Sequence, residues 1–278
     1  MQKEEIWRIF EREFSSYESK SGLEEWTVDV LGTLPDYFWT CAASSTGKHH
    51  NRVQNGTGGN LIHTKMNVQV ANILFSMDRF AKMFSDPLMR DMIRTALILH
   101  DGMKYGDGSS RFVVHEHPVL MAQYLTSGRW DGSLPESMLS MIAGMIASHS
   151  GRWTTSQYSP VVLPYPKTDE EYFVHACDYL GSRPDIMVSV QETETLFQAS
   201  VGDISQQEVQ KKKEEDDGSG NPFLDDEIMF VKMLVRGNNW NGKVYGKDDD
   251  RFIYLNGIRV NIDKNFLPAF QFVALTGK

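Results

Sequence analysis

Six histidine and aspartate residues are spaced through the first two-thirds of this chain, each in or beside an apolar segment with helical periodicity. Side chains of this kind, brought together from several helices, would form one metal centre inside a helical bundle. Imidazole and carboxylate groups suit Mn, Fe, Ni, Co, Zn or Mg ions, and a centre with few protein ligands per ion leaves positions open for water and substrate. The pattern therefore predicts a hydrolytic metal site. The six residues are His63, His100, Asp101, His117, His149 and Asp178.

The apolar residues around the first ligands predict two helices. From His63 to Phe84 they recur at steps of three and four, which predicts one long helix with His63 at its start. Residues 88–99 form a second apolar segment that leads directly into His100-Asp101 and stops at Gly102. The irregular geometry of a helix end would let both adjacent side chains point at one centre.

The later ligands lie in similar surroundings. Pro118 follows His117 and fits the first turn of a helix. The apolar segment after Pro135 predicts a helix that carries His149 on its inner face. Residues 168–171, TDEE, match the capping box that begins a helix. Each ligand therefore belongs to a different predicted helix or helix end.

The final predicted helix of this region contains Asp178 and ends at Gly181. His175 lies one turn before Asp178 and is an alternative partner for it. At the other end of the chain, residues 1–20 have the pattern of an amphipathic helix. Residues 35–62 are rich in Ser, Gly and Asn and are predicted to form a long loop.

The composition changes beyond residue 200. Residues 201–221 are charged and then rich in Gly and Ser, which is typical of a linker. Farther on, Asn256-Gly257 separates two β-prone runs and predicts a hairpin. The sequence therefore predicts a mainly α protein: a helical bundle over residues 1–200, a linker over 201–221, and a small α+β C-terminal domain over 222–278.

Charge and composition exclude several classes of protein. The net charge of −9 disfavours binding to duplex DNA through a general positive field. No apolar run is long enough to cross a membrane, and the N-terminus lacks a secretory pattern, so we expect a cytoplasmic protein. Cys41 and Cys177 are the only cysteines, so the composition argues against a disulfide framework and against a thiolate zinc site.

The order of the ligands, H…HD…(H…H)…D over about residues 36–185, resembles the HD-domain metal-dependent phosphohydrolase superfamily. Residues 100–106 match its HDxxKxG pattern through Lys104 and Gly106. Residues 58–64, GGNLIHT, resemble the GGLxxHT segment of phosphodiesterase and 3′–5′ exoribonuclease-type HD domains, with Asn60 at the leucine position. The resemblance implies an HD-type helical bundle that holds one or two divalent ions, with Asp101 and Lys104 as catalytic residues.

Two features of the implied metal centre stay open. His115 lies two residues before His117 and competes with it for the same role. If the later histidines His117 and His149 bind metal, two ions would act together on the substrate; otherwise a single ion remains.

Two segments are predicted to bind substrate. The cation and imidazoles of Lys48, His49 and His50 precede a glycine-rich turn and would meet an anionic oxygen, the alternative being a solvated loop. Arg152 and Trp153 would pair with a phosphate and stack on a base, although Trp153 could equally pack in the core.

The expected activity is hydrolysis of a nucleotide phosphodiester. The substrate would be an oligonucleotide 3′ end, a small cyclic or linear oligonucleotide, or another short single-stranded nucleic acid. One alternative is a nucleoside mono- or triphosphate phosphohydrolase. A second is a non-catalytic HD module that binds a nucleotide. The sequence leaves the oligomeric state and the identity of the metal open.

Overall fold

The computed structural model describes residues 1–45, 50, 52–110, 112–183, 231–232, 234–235, 239–246, 251–262 and 267–276. The chain divides into two compact units, Met1–Ile204 and Ser205–Lys278. The described residues are mainly helical, as predicted, and their only sheet has two strands. The predicted linker, residues 201–221, lies outside the described residues.

The first unit is a bundle of helices of very different lengths. The helices are α1 Lys3–Ile9, α2 Glu11–Phe14, α3 Leu23–Leu31, α4 Tyr37–Thr40, α5 Gly59–Phe75, α6 Asp78–Met83, α7 Pro87–Leu99, α8 His117–Leu125, α9 Glu136–Ala147 and α10 Asp169–Ser182, with a 3₁₀ turn at Arg52–Gln54. The longest of them are α5, α7, α9 and α10, and short helices form the N-terminal part.

Helix α7 lies at the centre of the bundle, where it contacts α3, α5, α9 and α10. Asp86 begins it by accepting a hydrogen bond from the Leu88 amide at 3.0 Å, and Pro87 fills the first turn. Its second half, from Ile93 to Leu99, is buried on all sides. Most residues of this segment are apolar, which explains its central position, and its C-terminal end leads into His100-Asp101.

Several predicted boundaries were wrong. The run from His63 to Phe84 is two helices, because α5 ends at Phe75 and α6 begins at Asp78. The predicted loop 35–62 contains α4, the 3₁₀ turn and the first residues of α5, so His63 is the fifth residue of its helix. Gly59 begins α5 beside the backbone of Gln54, where a Cβ would lie 1.9 Å from the Gln54 carbonyl oxygen. Gly59, one of the glycines that suggested a loop, thus allows this close approach because it has no side chain.

The predicted N-terminal helix over residues 1–20 is also two shorter helices, α1 and α2. A buried ion pair fastens them to α5. Lys65 Nζ lies 2.9 Å from Glu13 Oε2, and it also donates to the Ile9 carbonyl. Gln69 Nε2 donates to Glu13 Oε1 at 3.1 Å. The α5 residues thus contact both carboxylate oxygens of Glu13 inside the core, Lys65 through its charge and Gln69 through a hydrogen bond.

Thr168 caps the start of helix α10 as predicted, but the helix ends at a different residue than predicted. The Thr168 hydroxyl accepts from the Glu171 amide at 3.3 Å, while the Glu171 carboxylate accepts from the Lys167 amide at 2.6 Å, one residue earlier than in a standard capping box. Gly181 does not end the helix, which continues to Ser182. A Cβ at Gly181 would lie 1.9 Å from Asn67 Oδ1, so this glycine permits close packing of α10 on α5.

The second unit contains the predicted hairpin. Strands β1 Phe252–Leu255 and β2 Ile258–Asn261 are antiparallel, with Leu255 opposite Ile258. Asn256 and Gly257 have φ angles of 52° and 82°, which suits a two-residue type I′ turn. Helix α11, Leu267–Thr276, supplies part of the core of this unit. The buried residues of that core are Val231, Ile253, Leu255, Ile262, Ala269, Phe270 and Val273.

Among the described residues, every helix is too short or too polar to cross a membrane.

Candidate metal centre

The six predicted ligand side chains lie together in the first unit. Their elements surround the C-terminal end of α7, which supplies His100 and Asp101 directly after Leu99. Helix α5 supplies one ligand, and α8 supplies another from its first residue. Of the remaining two ligands, one follows the end of α9 and the other lies within α10. In chain order these four residues are His63, His117, His149 and Asp178.

Three side chains form what we call the first ligand group: His63, His100 and Asp178. The Nε2 atoms of the two histidines are 3.3 Å apart, and Asp178 Oδ1 lies 2.8 Å from that of His63 and 3.4 Å from that of His100. With metal–ligand bonds of about 2.0–2.2 Å, neighbouring ligands of one tetrahedral or octahedral ion lie about 2.8–3.6 Å apart. The first ligand group therefore has the spacing required to hold one divalent ion, and its donor atoms suit such an ion.

Three further side chains form what we call the second ligand group: Asp101, His117 and His149. His117 Nε2 lies 3.1 Å from Asp101 Oδ1 and 3.2 Å from His149 Nε2. The distance from His149 Nε2 to Asp101 Oδ1 is longer, 3.9 Å. The two distances from His117 thus fall in the range for neighbouring ligands of one divalent ion, and the third is slightly longer.

The two oxygens of Asp101 face different ligand groups. Oδ1 faces His117 and His149, whereas Oδ2 lies 3.2 Å from His100 Nε2 and 3.6 Å from His63 Nε2. A carboxylate in this position can bridge two ions. The geometry thus has room for a pair of ions that share Asp101, as well as for a single ion.

Hydrogen bonds to backbone carbonyls orient three of the histidines. In each case Nδ1 contacts the carbonyl oxygen three residues earlier: His100 with Leu97 at 2.7 Å, His117 with Val114 at 2.8 Å, and His149 with Ile146 at 2.7 Å. Because a carbonyl only accepts, Nδ1 must carry the proton in each ring. A neutral imidazole then presents the Nε2 lone pair to the centre, which is the form that binds metal.

Burial and charge shift the ionisation of the ligands. Burial lowers the pKa of His100, but the carboxylates of Asp101 and Asp178 outweigh it and raise the pKa to about 10. Burial raises the pKa of Asp101, whereas His100 and Lys104 pull it well below the usual range. Burial lowers the pKa of His149 to about 3. In the structure, the positive charge that balances the aspartates therefore lies on His100 and Lys104.

Lys104 is buried and donates to Asp101 Oδ2. Its ammonium group is thus held at the wall of the centre. The most accessible ligands are Asp178, with 22% of its side chain exposed, and His117, with 12%. The other ligand side chains are almost completely buried. Solvent and a substrate would therefore reach the centre on the side of Asp178 and His117.

Two competing histidines have other partners. His115 Nε2 lies 3.3 Å from the Thr154 carbonyl and 3.2 Å from the Val161 carbonyl, so it contacts the segment after α9 and leaves the centre to His117. His175 Nδ1 donates to the His149 carbonyl at 2.7 Å. It therefore helps to hold the chain that carries His149.

His50 is the one described member of the predicted phosphate-binding loop, since Lys48 and His49 lie outside the described residues. Its ring packs edge-on against that of His63, with centroids 4.9 Å apart. Burial, together with the nearby charges of His63 and Lys104, lowers the pKa of His50 to about 2. His50 is therefore a neutral imidazole beside the first ligand group.

Arg152 and Trp153 follow His149 in the chain. Trp153 is 40% exposed, so it is not a core residue. Its ring packs nearly parallel to that of Tyr179, with centroids 6.1 Å apart, and the Arg152 guanidinium lies 5.1 Å from the Trp153 centroid. Trp153 also contacts His175, which holds the His149 carbonyl. An exposed indole thus lies close to the metal centre.

The sequence analysis did not predict that Asn67 lies at the candidate metal centre. Its Nδ2 lies 3.1 Å from His63 Nε2 and 3.2 Å from Asp178 Oδ1. The signal was available, because residues four apart share one face of a helix and Asn67 follows His63 at that spacing. The backbone carbonyls that orient the other histidines were also missed, and no side-chain pattern could have indicated them.

We compared the chain with protein-family models, with curated proteins and with solved structures, and found no match in any of the three comparisons.

Proposed function

We propose that this protein is a metal-dependent phosphohydrolase of HD type that cleaves a phosphodiester bond in a nucleotide or a short single-stranded nucleic acid. One observation carries the proposal: the two oxygens of Asp101 face two separate groups of ligands, with His100 Nε2 3.2 Å from Oδ2 and His117 Nε2 3.1 Å from Oδ1. Paired ions that share a carboxylate suit phosphoester hydrolysis, because together they stabilise the attacking and the leaving oxygen.

In this proposal the bound ions supply Lewis acidity and lower the pKa of a water molecule. The protein's own residues fix the geometry. Nδ1 hydrogen bonds of His100, His117 and His149 set the ring orientations, and Lys104 holds Asp101. The Lys104 ammonium also places a positive charge beside the phosphoryl group, where it opposes the negative charge that develops in the transition state.

The nucleotide part of the proposal rests on the surroundings of the centre. Trp153 offers an exposed aromatic surface two residues from Gly151, on the segment that follows His149. Stacking on an indole is a common way to hold a nucleobase, and a guanidinium such as that of Arg152 suits a phosphate. A nucleoside mono- or triphosphate would use the same two contacts, so it is the alternative substrate class.

The proposal is tested by metal analysis and a substrate panel. Purified protein would be loaded separately with Mn²⁺, Fe²⁺, Ni²⁺, Co²⁺, Zn²⁺ or Mg²⁺, and its metal content measured by mass spectrometry. Each form would be assayed on bis-p-nitrophenyl phosphate, short single-stranded oligonucleotides, cyclic dinucleotides and nucleoside triphosphates. We expect bound metal and hydrolysis of at least one diester. Protein that binds no divalent ion and hydrolyses nothing would contradict the proposal.

The same panel separates an enzyme from a binding module. A non-catalytic module would bind nucleotides, as measured by calorimetry, but would hydrolyse none of them with any metal. We favour the enzyme because the buried carboxylates and imidazoles are costly to keep together, and each must be paired or must bind an ion.

We expect His117→Ala to lower the metal stoichiometry from two ions towards one. His117 belongs only to the second ligand group, whereas the first ligand group keeps all three of its members in this variant. Equilibrium dialysis against Mn²⁺ measures the change, and His115→Ala is the matched control because His115 contacts backbone carbonyls. A wild-type stoichiometry of one would assign His117 to substrate binding or structure.

We expect Trp153→Ala to impair nucleotide substrates selectively. Stacking of a base on an aromatic side chain contributes about 1–3 kcal/mol, so KM for a dinucleotide should rise about ten-fold. The kcat for bis-p-nitrophenyl phosphate, which has no base, should stay unchanged, and Trp153→Phe should restore most of the affinity. Trp7→Ala is the control, since Trp7 is a similarly exposed indole that packs on Phe14. Equal effects on both substrates would refute the stacking role.

A further inference from the structure

Asn67 is buried at the edge of the first ligand group. It lies on α5, one turn after His63, and its amide group contacts His63 Nε2 and Asp178 Oδ1 at 3.1 and 3.2 Å. Both distances fall in the range of about 2.8–3.6 Å expected between neighbouring ligands of one ion. The amide therefore lies where a further ligand of an ion held by His63 and Asp178 would lie.

The orientation of the Asn67 amide decides which of its atoms faces the ligands. Nδ2 points at the ligand atoms, and its hydrogens take the place of a cation between His63 and Asp178. With an ion present, the NH₂ hydrogens would face a positive charge. At the other end of the amide, Oδ1 is buried and has no hydrogen-bond donor among the described residues. A buried carbonyl oxygen without a donor is destabilising.

Rotation of the amide by half a turn would turn the NH₂ group away from an ion and give Oδ1 the ion as its partner. The two ends of an amide are similar in size, so the rotation exchanges Oδ1 and Nδ2 without a large change in packing. Oδ1 then lies at the corner now held by Nδ2, beside His63 Nε2 and Asp178 Oδ1. An amide oxygen is a good ligand for hard divalent cations such as Mg²⁺ and Mn²⁺.

We propose that Asn67 is a further protein ligand of the first ion, bound through its amide oxygen, and that its side chain rotates when the ion enters. This inference rests on the proposed function, because it assumes that the first ligand group holds a divalent ion. It adds a neutral oxygen to two imidazoles and one carboxylate. The first ion would thus have four protein ligands from α5, α10 and the end of α7, with the Asp101 bridge as a fifth.

The packing around Asn67 restricts where the side chain can go. A Cβ at Gly181 would lie 1.9 Å from Asn67 Oδ1, so the amide fits directly against the α10 backbone. The residue has no exposed surface. An isosteric replacement is therefore the cleanest test, because Asp keeps the shape and the oxygen while it removes the NH₂ group.

The test compares Mn²⁺ binding to wild type, Asn67→Ala and Asn67→Asp by calorimetry, with free Mn²⁺ followed by electron paramagnetic resonance. We expect Asn67→Ala to weaken binding of the tighter ion about ten-fold or more, in line with the loss of a ligand or of its support. Asn67→Asp should bind at least as tightly as wild type, since it retains a ligand oxygen. Asn72→Ala is the matched control: Asn72 is on the same helix but accepts from Arg94 at 2.9 Å.

The outcomes separate this inference from the proposed function. Wild type that binds no divalent ion would defeat both. Wild type that binds Mn²⁺ while Asn67→Ala binds it equally well would overturn only the role of Asn67. If Asn67→Asp binds as weakly as Asn67→Ala, the NH₂ group is what matters, and Asn67 is a hydrogen-bond donor to Asp178 and not a ligand. Thermal unfolding of each ion-free variant shows that the comparison is made between folded proteins.

Discussion

Asp101→Asn is expected to lower kcat for phosphodiester hydrolysis by about 1,000-fold or more. The replacement keeps the size of the side chain but removes the negative charge that both ligand groups face. A neutral amide presents one oxygen and cannot bridge two cations. Loss of metal-based stabilisation of the transition state is worth several kcal/mol, and about 4 kcal/mol corresponds to a factor of 1,000.

The metal content should fall together with the rate. We expect mass spectrometry to find at most one ion per chain in Asp101→Asn. Asp107→Asn is the matched control: Asp107 follows in the same segment, but its carboxylate accepts from the Ser109 amide at 2.9 Å and is exposed. An Asp101→Asn variant with wild-type metal content and wild-type kcat would exclude Asp101 from the centre.

Stability must be measured in the same experiment. Lys104 is buried and donates to Asp101, so its ammonium loses its counter-charge in Asp101→Asn. A buried charge without its partner destabilises a fold, and the ion-free variant should melt below wild type. Assays well below the melting temperature of the variant, with circular dichroism as a check, separate lost chemistry from lost structure.

The ligands could be predicted from the sequence because each is marked by local chemistry. His100 and Asp101 follow the apolar run Ala96–Leu99, and His117 precedes a first-turn proline, so each position is fixed by signals within a few residues. The six side chains converge because α5, α9 and α10 pack on α7, and α8 packs on α9. Their binding of metal stays a prediction.

The errors share a different cause. Gly59 and Gly181 were read as a loop residue and a helix end, yet both lie inside helices where another chain segment approaches closely. A glycine needed for a turn and a glycine needed for close packing look the same in one sequence. The orientation of Trp153 and the partners of His115 likewise depend on tertiary contacts that periodicity does not encode.

Lys65→Met is expected to destabilise the protein by about 3–5 kcal/mol at neutral pH, as removal of one member of a buried ion pair typically does. Lys65 and Glu13 are both fully buried, and the Lys65 ammonium also donates to the Ile9 carbonyl. Met matches the length of the Lys stem, so the change removes charge and hydrogen bonds with little change in volume. Urea unfolding measures the loss.

A surface pair provides the control. Lys3 forms an ion pair with Asp29, but both side chains are exposed. Exposed ion pairs contribute about 0–1 kcal/mol, so Lys3→Met should change the free energy of unfolding very little. The double variant Glu13→Gln with Lys65→Met should regain part of the loss, because Gln69 can still donate to the new amide oxygen while no charge remains buried.

The pH dependence of Lys65→Met identifies the cause. Burial raises the pKa of Glu13, and Lys65 opposes that rise, so the pKa should climb further when Lys65 is removed. The Glu13 carboxyl of the folded variant then keeps its proton at pH values at which the unfolded chain, with its usual pKa of 4.5, has lost it. The free energy of unfolding of the variant therefore falls as the pH rises from 4.5 through the folded pKa. The deficit relative to wild type should therefore be largest at neutral pH and should narrow as pH falls towards 4.5. A deficit that is the same at both pH values would show that the loss comes from packing and from the lost hydrogen bond to Ile9, and not from the buried carboxylate.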